Sequence, residues 1–453
     1  MLFAVKELCE LFPEHKGVAM DSIPLRQVMT DSRKEMKQSV FVPIVGENFD
    51  AHEFLKQAIE NGAVAALWQK DREVPRFVPT DFPLFFVNDT TEAMQKMAGF
   101  YLDKVSPQVI GITGSNGKTT TKDLTAAVLS TKFRTHKTDG NFNNHIGLPL
   151  TIFAMPEDTE VAVLEMGMSQ AGEIEVLSRL ARPDYALITN IGESHIEYLG
   201  SREGIAKAKL EIKAGLKGDG ALIFDGDEPL LAEELKNPNH WGCGMNDHNR
   251  TQIKGLELKD LQSSFVIDGV HYELPLAGKH NVKNASYVIT LARLMGLSSE
   301  LIQQGLGQIQ VTGMRFERLA GKGGSLIIND AYNASPTSMK AVIEVIKGMK
   351  EKKNKILVLG DVYELGSHAK AMHRSVAEVI DEDIAAVYTF GEDAVEISKA
   401  VAEKKLNIKS EHFTDKTSLQ QVVEKDLDKD TVVLVKASRG VKLETIIDPL
   451  VEK

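Results

Sequence analysis

The stretch Val109-Ile110-Gly111-Ile112-Thr113-Gly114-Ser115-Asn116-Gly117-Lys118-Thr119-Thr120-Thr121 constrains this chain most. An apolar, β-branched run stops at a glycine-rich turn, and a lysine with three threonines then opens a helix. Strand, turn and helix in that order build a nucleotide-triphosphate site. Glycines let backbone N–H groups close around phosphate oxygens, and the helix N-terminus adds the positive end of its dipole. Lys118 can reach the outer phosphates, and the Thr119 hydroxyl can ligate Mg²⁺. The predicted ATP contacts are therefore Gly114, Ser115, Asn116, Gly117, Lys118, Thr119 and Thr120. The usual spacing has a glycine five residues before the second one; here that position is Ile112, and Gly111 is one residue too far back. The plain alternative is an ordinary strand–turn–helix with a lysine at its start.

At 453 residues the chain exceeds what one core usually supports, so two or three domains are expected. Hydrophobic content of 43% with 26% charged residues fits a soluble globular protein. A net charge of −11 argues against nucleic-acid or anionic-membrane binding through a global field, while leaving room for a local basic site. Two cysteines, Cys9 and Cys243, are too few for a disulfide framework or a cysteine zinc site. A reduced, cytoplasmic setting fits. The N-terminal MLFAVKELCELFPEHKG carries Lys6, Glu7 and Glu10 within its apolar pattern and reads as an amphipathic helix rather than a signal peptide. No apolar run approaches a membrane span.

The pattern predicts an α/β chain of three domains. Residues 1–88 mix short strands (40–44 and 84–87) with a helix from His52 to Asn61 closed by Gly62, and Asp89 or Thr90 can cap the helix that follows. Residues 89–313 hold the phosphate loop. Strands at 161–164, 185–189 and 221–224 alternate there with helices at 173–180 and 202–216, which implies a mostly parallel sheet with helices on both faces. A strand-like stretch follows from Ile253 to Leu276, then helices at 282–295 and 299–306. Residues 314–453 restart as a doubly wound, Rossmann-like domain with strands at 325–328, 356–359, 386–390 and 432–435. Ligands of such sheets bind at the carboxyl ends of strands, where Asp330, Asp361, Lys436 and Arg439 fall.

Glu165 ends a strand in Leu-Glu-Met-Gly, where a carboxylate can bind Mg²⁺ directly or through water, or simply be solvated. His195 follows the strand 185–189 and can add a metal ligand, orient a phosphate, or be an ordinary hydrogen-bonded histidine. Lys207, Lys209 and Lys213 read as a solvated helix face, and nothing in the pattern singles out Lys209. Asn141, Asn143 and Asn144 suit turns, and equally a sugar or peptide substrate. In Lys279-His280-Asn281-Val282-Lys283-Asn284, His280 or Asn281 can cap a helix, and the amides can read an adenine edge. Arg315 follows the interdomain boundary, where a guanidinium can swing onto a phosphate as domains close or remain a surface residue.

Together these blocks resemble the Mur ligases of bacterial cell-wall synthesis, over essentially the whole chain. The loop Thr113-Gly-Ser-Asn-Gly-Lys-Thr119 looks like that family's ATP loop, including the absent glycine. Four further blocks are similar to the member that adds D-alanyl-D-alanine: Gly140-Asn-Phe-Asn-Asn-His-Ile-Gly-Leu-Pro149, Asn329-Asp-Ala-Tyr-Asn-Ala-Ser-Pro336, Leu359-Gly-Asp-Val-Tyr-Glu-Leu-Gly366 and Val435-Lys-Ala-Ser-Arg-Gly-Val-Lys-Leu-Glu444. Asp31-Ser32-Arg33, with Phe41-Val-Pro and Gly46-Glu-Asn-Phe-Asp-Ala-His52, looks like the uridine-nucleotide domain shared with the family's tripeptide-forming member. The departures are Ala437 where several relatives have glycine, and Val362-Tyr363 where they have methionine–leucine.

The resemblance implies an ATP- and Mg²⁺-dependent ligase in peptidoglycan synthesis, joining D-alanyl-D-alanine to UDP-N-acetylmuramoyl-tripeptide through an acyl phosphate. It implies a cytoplasmic enzyme serving cell-wall biogenesis, cell shape and division. A monomer would suffice. Lys118, Glu165, His195 and Arg315 would be catalytic, and Thr119, Glu165 and His195 would hold metal, with Lys209 added only if carbamylated. Asn281, Asn284, Arg315 and Asp330 would contact ATP. Ser32, Arg33, Asn141 and Asn144 would face the nucleotide sugar, and Lys436, Ser438 and Arg439 the dipeptide. The competing readings are another Mur-type amide ligase, amino-acid-adding or polyglutamate-type, and a phosphate-loop regulatory switch.

Overall fold

The computed structural model describes residues 1–18, 22–259 and 261–452. Its three main sheets follow one another along the chain. The first orders its strands His15–Lys16, Leu84–Val87, Ala63–Gln69, Ser39–Phe41 and Gln27–Met29, parallel except at the His15 edge. The predicted N-terminal helix spans Val5–Leu11, and the predicted helix after His52 splits into a 3₁₀ turn, Ala51–Phe54, and an α segment, Leu55–Glu60. Asp89, not Thr90, caps the next helix, Thr90–Val105, accepting from the Glu92 N–H at 2.8 Å.

The second sheet has nine strands, and its parallel part decides the site. The phosphate-loop strand Gln108–Thr113 lies between Val161–Glu165 and Tyr185–Ile188, all parallel. Thr135–Lys137 forms one edge. On the other side Ala221–Asp225, His240–Gly244 and Thr251–Lys259 continue in parallel, before Gln262–Ile267 and Val270–Leu274 close the sheet antiparallel. Leu124, Val128, Val282 and Val288 cover one face, and Met94, Leu148, Leu177 and Ile205 the other. Both faces are thus buried, which explains the nearly all-apolar strands.

Two further helix boundaries differ from the sequence prediction. The helix from Arg202 stops at Leu210 and continues as a 3₁₀ turn over Glu211–Ala214. Neither His280 nor Asn281 caps the next long helix. It starts earlier, at Lys279 after Gly278, and Asn281 instead donates back to the Ala277 carbonyl at 2.8 Å.

The third sheet orders Glu317–Ala320, Leu326–Asn329, Thr431–Lys436, Asn354–Gly360, Ala386–Phe390 and Lys409–Phe413, parallel except for the first. Its two faces carry separate apolar clusters, one with Met339, Ile343 and Ile397, the other with Leu419, Val423 and Ile447. Helices on both faces make it doubly wound. Among the described residues no helix is long and apolar enough to cross a membrane.

Candidate active site

The phosphate loop turns where the strand ends. Ile112, which occupies the usual glycine position, is still strand and fully buried, so no turn residue is needed there. The turn falls on Gly114 (φ +151°) and Gly117 (φ +80°), the latter opening the helix Lys118–Leu129. A Cβ on residue 114 would lie 1.8 Å from the Thr189 hydroxyl oxygen, and one on residue 117 2.9 Å from Asn284. The neighbouring strand end braces the loop. Asn190 accepts from the Ser115 N–H through its carbonyl (3.1 Å) and from the Asn116 N–H through its side chain (2.8 Å), and the Thr189 hydroxyl donates to the Asn116 carbonyl (2.6 Å).

At the carboxyl end of the adjacent strand, Glu165 is 2% exposed. The Thr119 hydroxyl donates to one carboxylate oxygen at 3.0 Å, and the Asn143 amide to the other at 2.8 Å. Threonine hydroxyl and carboxylate are hard oxygen donors suited to Mg²⁺, which retains much of its water, while the Asn143 NH2 orients the carboxylate. Among the described residues no three His, Cys, Asp or Glu side chains cluster, so phosphate and water would complete such a shell. Lys118 folds back to donate to the Gly114 carbonyl at 2.7 Å. Burial pushes its ammonium pKa down; Glu165 opposes that and Arg315 adds to it.

Lys209 departs from the sequence reading of a solvated lysine face. It is 1% exposed, and no hydrogen bond or ion pair reaches its ammonium among the described residues. Its pKa lies well below the ordinary lysine value, because burial strips its water and the Lys118 charge repels it.

A cleft of about 970 Å³ joins the phosphate loop, Asn143 and Glu165 to the last domain. Of the residues predicted from sequence, it is lined by Ser115 to Thr120, Asn141, Asn144, Glu165, His195, Asn281, Asn284, Arg315, Asp330 and Lys436. The Arg315 guanidinium lies over the Tyr332 ring at 4.4 Å, and its buried Nε has no partner among the described residues. Lys436, 4% exposed, is 2.5 Å from Asp330, whose other oxygen accepts from the Phe316 N–H at 3.0 Å. The Glu364 carboxylate lies against His195 Nδ1 across the domain boundary, and that close pairing holds the Glu364 pKa below its ordinary value against its partial burial.

Other predicted residues lie outside the cleft lining. Ser32 donates to Gln57 at 2.8 Å, and Arg33, 80% exposed, pairs with Asp31, whose pKa it lowers to about 2. The Ser438 hydroxyl accepts from the Tyr363 N–H at 2.9 Å, and Arg439 pairs with Glu444 at 2.8 Å. Asp361 caps a turn by accepting from the N–H groups of Glu392, Asp393 and Ala394. Asn144, which does line the cleft, accepts from the Gly147 N–H at 2.8 Å and so helps start a helix, leaving its neighbour Asn143 as the asparagine that reaches Glu165. The asparagine block drew attention in sequence, but its spacing does not rank its members. Glu364 gave no signal beyond its place in a family-like block.

Comparison with known proteins matches residues 112–292 to the Mur ligase middle domain and residues 314–439 to the Mur ligase glutamate ligase domain. UDP-N-acetylmuramoyl-tripeptide–D-alanyl-D-alanine ligase of Bacillus subtilis is 48% identical over 94% of this chain and 93% of its own. The Escherichia coli protein of the same name is 33% identical over 95% of this chain and 94% of its own. Among solved structures, MurF from Acinetobacter baumannii superposes with a TM-score of 0.87 at 28% identity, covering 100% of this chain and 99% of that one. MurF ligase from Thermotoga maritima in complex with ADP gives 0.83 at 29% identity, covering 95% and 98%.

Proposed function

The chain belongs to the Mur ligase family, and from that premise we propose that it uses ATP to join D-alanyl-D-alanine to UDP-N-acetylmuramoyl-tripeptide, releasing ADP and phosphate. The observation that carries this reading is the single cleft running from the phosphate loop to the polar strand ends of the last domain. A triphosphate on the loop and an acceptor carried by the other domain can meet there.

The tripeptide carboxylate attacks the γ-phosphate, forming a carboxyl–phosphate bond as ADP leaves. The dipeptide amine then attacks the acyl carbonyl, and the tetrahedral intermediate collapses with loss of phosphate. Two anions must approach, so their charge has to be screened. Lys118 and Arg315 serve that need. Arg315, lying over the Tyr332 ring with its Nε unpartnered among the described residues, has the freedom to engage ATP in the closed form. Thr119, Glu165 and His195 would hold Mg²⁺, which when bound supplies further screening of the phosphates. Lys209 joins them only as a carbamate, formed when its neutral amine adds to carbon dioxide and loses a proton; its burial and lowered pKa favour that neutral amine. Asn281, Asn284 and Asp330 would contact ATP. Ser32, Arg33, Asn141 and Asn144 would face the nucleotide sugar, and Lys436, Ser438 and Arg439 the dipeptide. Acyl phosphates hydrolyse readily, so closure of the domains has to exclude water.

We assign residues 1–88 to the nucleotide sugar, 89–313 to ATP and 314–453 to the dipeptide, in a monomeric cytoplasmic enzyme. The test is phosphate release from ATP and Mg²⁺ with each substrate alone and with both. Release that requires both, with a pentapeptide product by mass, supports the reading. Release with neither substrate would point to a regulatory switch.

A further inference from the structure

We propose that Glu364 is a positioning residue: carried on the last domain, it fixes the His195 ring of the central domain, so that the imidazole is set for the phosphate end of the cleft only while the two domains are docked. This rests on the assignment of His195 to the phosphate and metal end of the site.

Three observations carry it. The Glu364 carboxylate meets Nδ1 of His195, and His195 lines the cleft. Both residues hold left-handed backbone, His195 at φ +65° and Glu364 at φ +61°, although neither is glycine. Two non-glycine residues in that region, meeting across a domain boundary, are strained backbone concentrated at one contact. The contact is also built on its flanks. The Glu197 N–H donates to the Glu364 carbonyl at 3.2 Å, and a Cβ on Gly366 would lie 3.2 Å from the Glu197 side chain.

The loop bearing Glu364 is held rigidly on its own domain. Fully buried His373 accepts from the Val362 N–H through Nε2 at 2.9 Å and contacts the Ala369 carbonyl through Nδ1 at 2.7 Å. The Tyr363 N–H donates to Ser438 at 2.9 Å. Glu364 therefore moves with the last domain. Two further bonds cross the same boundary nearby: Ser335 donates to the Asn116 side chain at 3.0 Å and Thr337 to Glu193 at 2.7 Å.

An imidazole without a fixed partner rotates and exchanges tautomers. Nδ1 of His195 is buried and has no hydrogen-bond partner among the described residues, so the carboxylate lying against it favours the proton there and leaves the Nε2 lone pair for the site; removing such a partner typically costs about 10–100-fold. With the carboxylate on the other domain, that ordering becomes conditional on docking.

The test is a double-mutant cycle of Glu364→Gln with His195→Ala, read in the ligase assay and by ¹⁵N NMR of the imidazoles. The chain has 12 histidines, so the His195 signal is identified by its loss in His195→Ala. Glu364→Gln is expected to lower kcat about 10–100-fold, and to shift the His195 ring from the Nδ1–H form to a tautomer mixture. In the His195→Ala background it is expected to change kcat less than about twofold, because the group it acts through is gone. Thr337→Val, which loosens the same boundary without touching His195, keeps its full effect in that background. The proposal is overturned if Glu364→Gln turns over at the wild-type rate, if its loss multiplies fully with that of His195→Ala, or if the His195 tautomer is unchanged. Wild-type protein that forms no pentapeptide would overturn the functional reading instead, and the NMR arm would still decide whether Glu364 orders the ring.

Discussion

Asp123→Asn probes whether the phosphate-loop helix and the interdomain linker form one mechanical unit. Asp123 stands in the second turn of that helix with its side chain 0% exposed. One oxygen accepts from Lys137 at 2.6 Å; the other accepts from the Thr312 N–H at 3.0 Å and the Thr312 hydroxyl at 2.8 Å. Lys122, also buried, lies 3.5 Å away. Thr312 belongs to the linker that leads to Arg315. The amide keeps the shape of the carboxylate but leaves Lys122 buried beside a neutral group, and breaking a buried pair in this way costs about 3–5 kcal/mol. For a domain of roughly 150–250 residues each kcal/mol lowers Tm by about 2–4 °C, so the central domain should melt about 6–20 °C lower. Thr312→Val removes one hydroxyl donor to a charged acceptor, worth about 1.5–3 kcal/mol, and should move the transition roughly half as far.

The effect should also depend on pH. Burial alone pushes the Asp123 carboxyl pKa up, but Lys122, Lys137 and the Thr312 N–H together carry it below its ordinary value. A depressed folded pKa means the stabilisation is present above the unfolded value, about 3.9, and is lost as pH falls through the folded one. The Tm gap between wild type and Asp123→Asn should therefore be full at neutral pH and narrow below about pH 4. Differential scanning calorimetry across that range is the assay. A gap under about 2 °C at neutral pH, Thr312→Val as damaging as Asp123→Asn, or a gap that ignores pH would refute the clasp.

Three other substitutions probe the site. Gly114→Ala would put a Cβ 1.8 Å from the Thr189 hydroxyl oxygen and disturb its 2.6 Å bond to the loop; the ATP KM should rise at least about tenfold, near 1.4 kcal/mol, with helix content unchanged by circular dichroism, and a wild-type KM would contradict the steric argument. Glu165→Gln should raise the Mg²⁺ concentration needed for phosphate release by about 10–100-fold, and an unchanged requirement would remove Glu165 from the metal site. Lys209→Met replaces a buried amine that has no hydrogen bond among the described residues, so Tm should hold or rise while ligase activity falls. Retained activity in that variant would exclude a carbamate role.

The parts of the site legible in sequence are those fixed by local chain geometry. Val109 to Thr121 reads as strand, turn and helix because β-branched residues, two permissive glycines and a lysine each demand their place. Glu165, Asp330 and Lys436 could be placed at strand ends because apolar runs reveal where buried strands stop. The strand Lys409–Phe413 escaped the sequence pattern, because it is a polar edge strand in which only Phe413 is buried. His240–Gly244 escaped because two of its five residues are glycine.

What the sequence by itself determined is thus the nucleotide loop, the α/β class and the family, all carried by residues close together in the chain. The tertiary structure alone decided that Lys209 is buried rather than solvated, that Asn143 rather than Asn144 meets Glu165, and that Asp123 grips Thr312 and Glu364 meets His195. Each of these depends on two segments far apart in sequence arriving at one point. Periodicity reports which face of an element is buried, but not which partner waits there, so a helical lysine at a solvated spacing and one in a closed pocket are spelled alike.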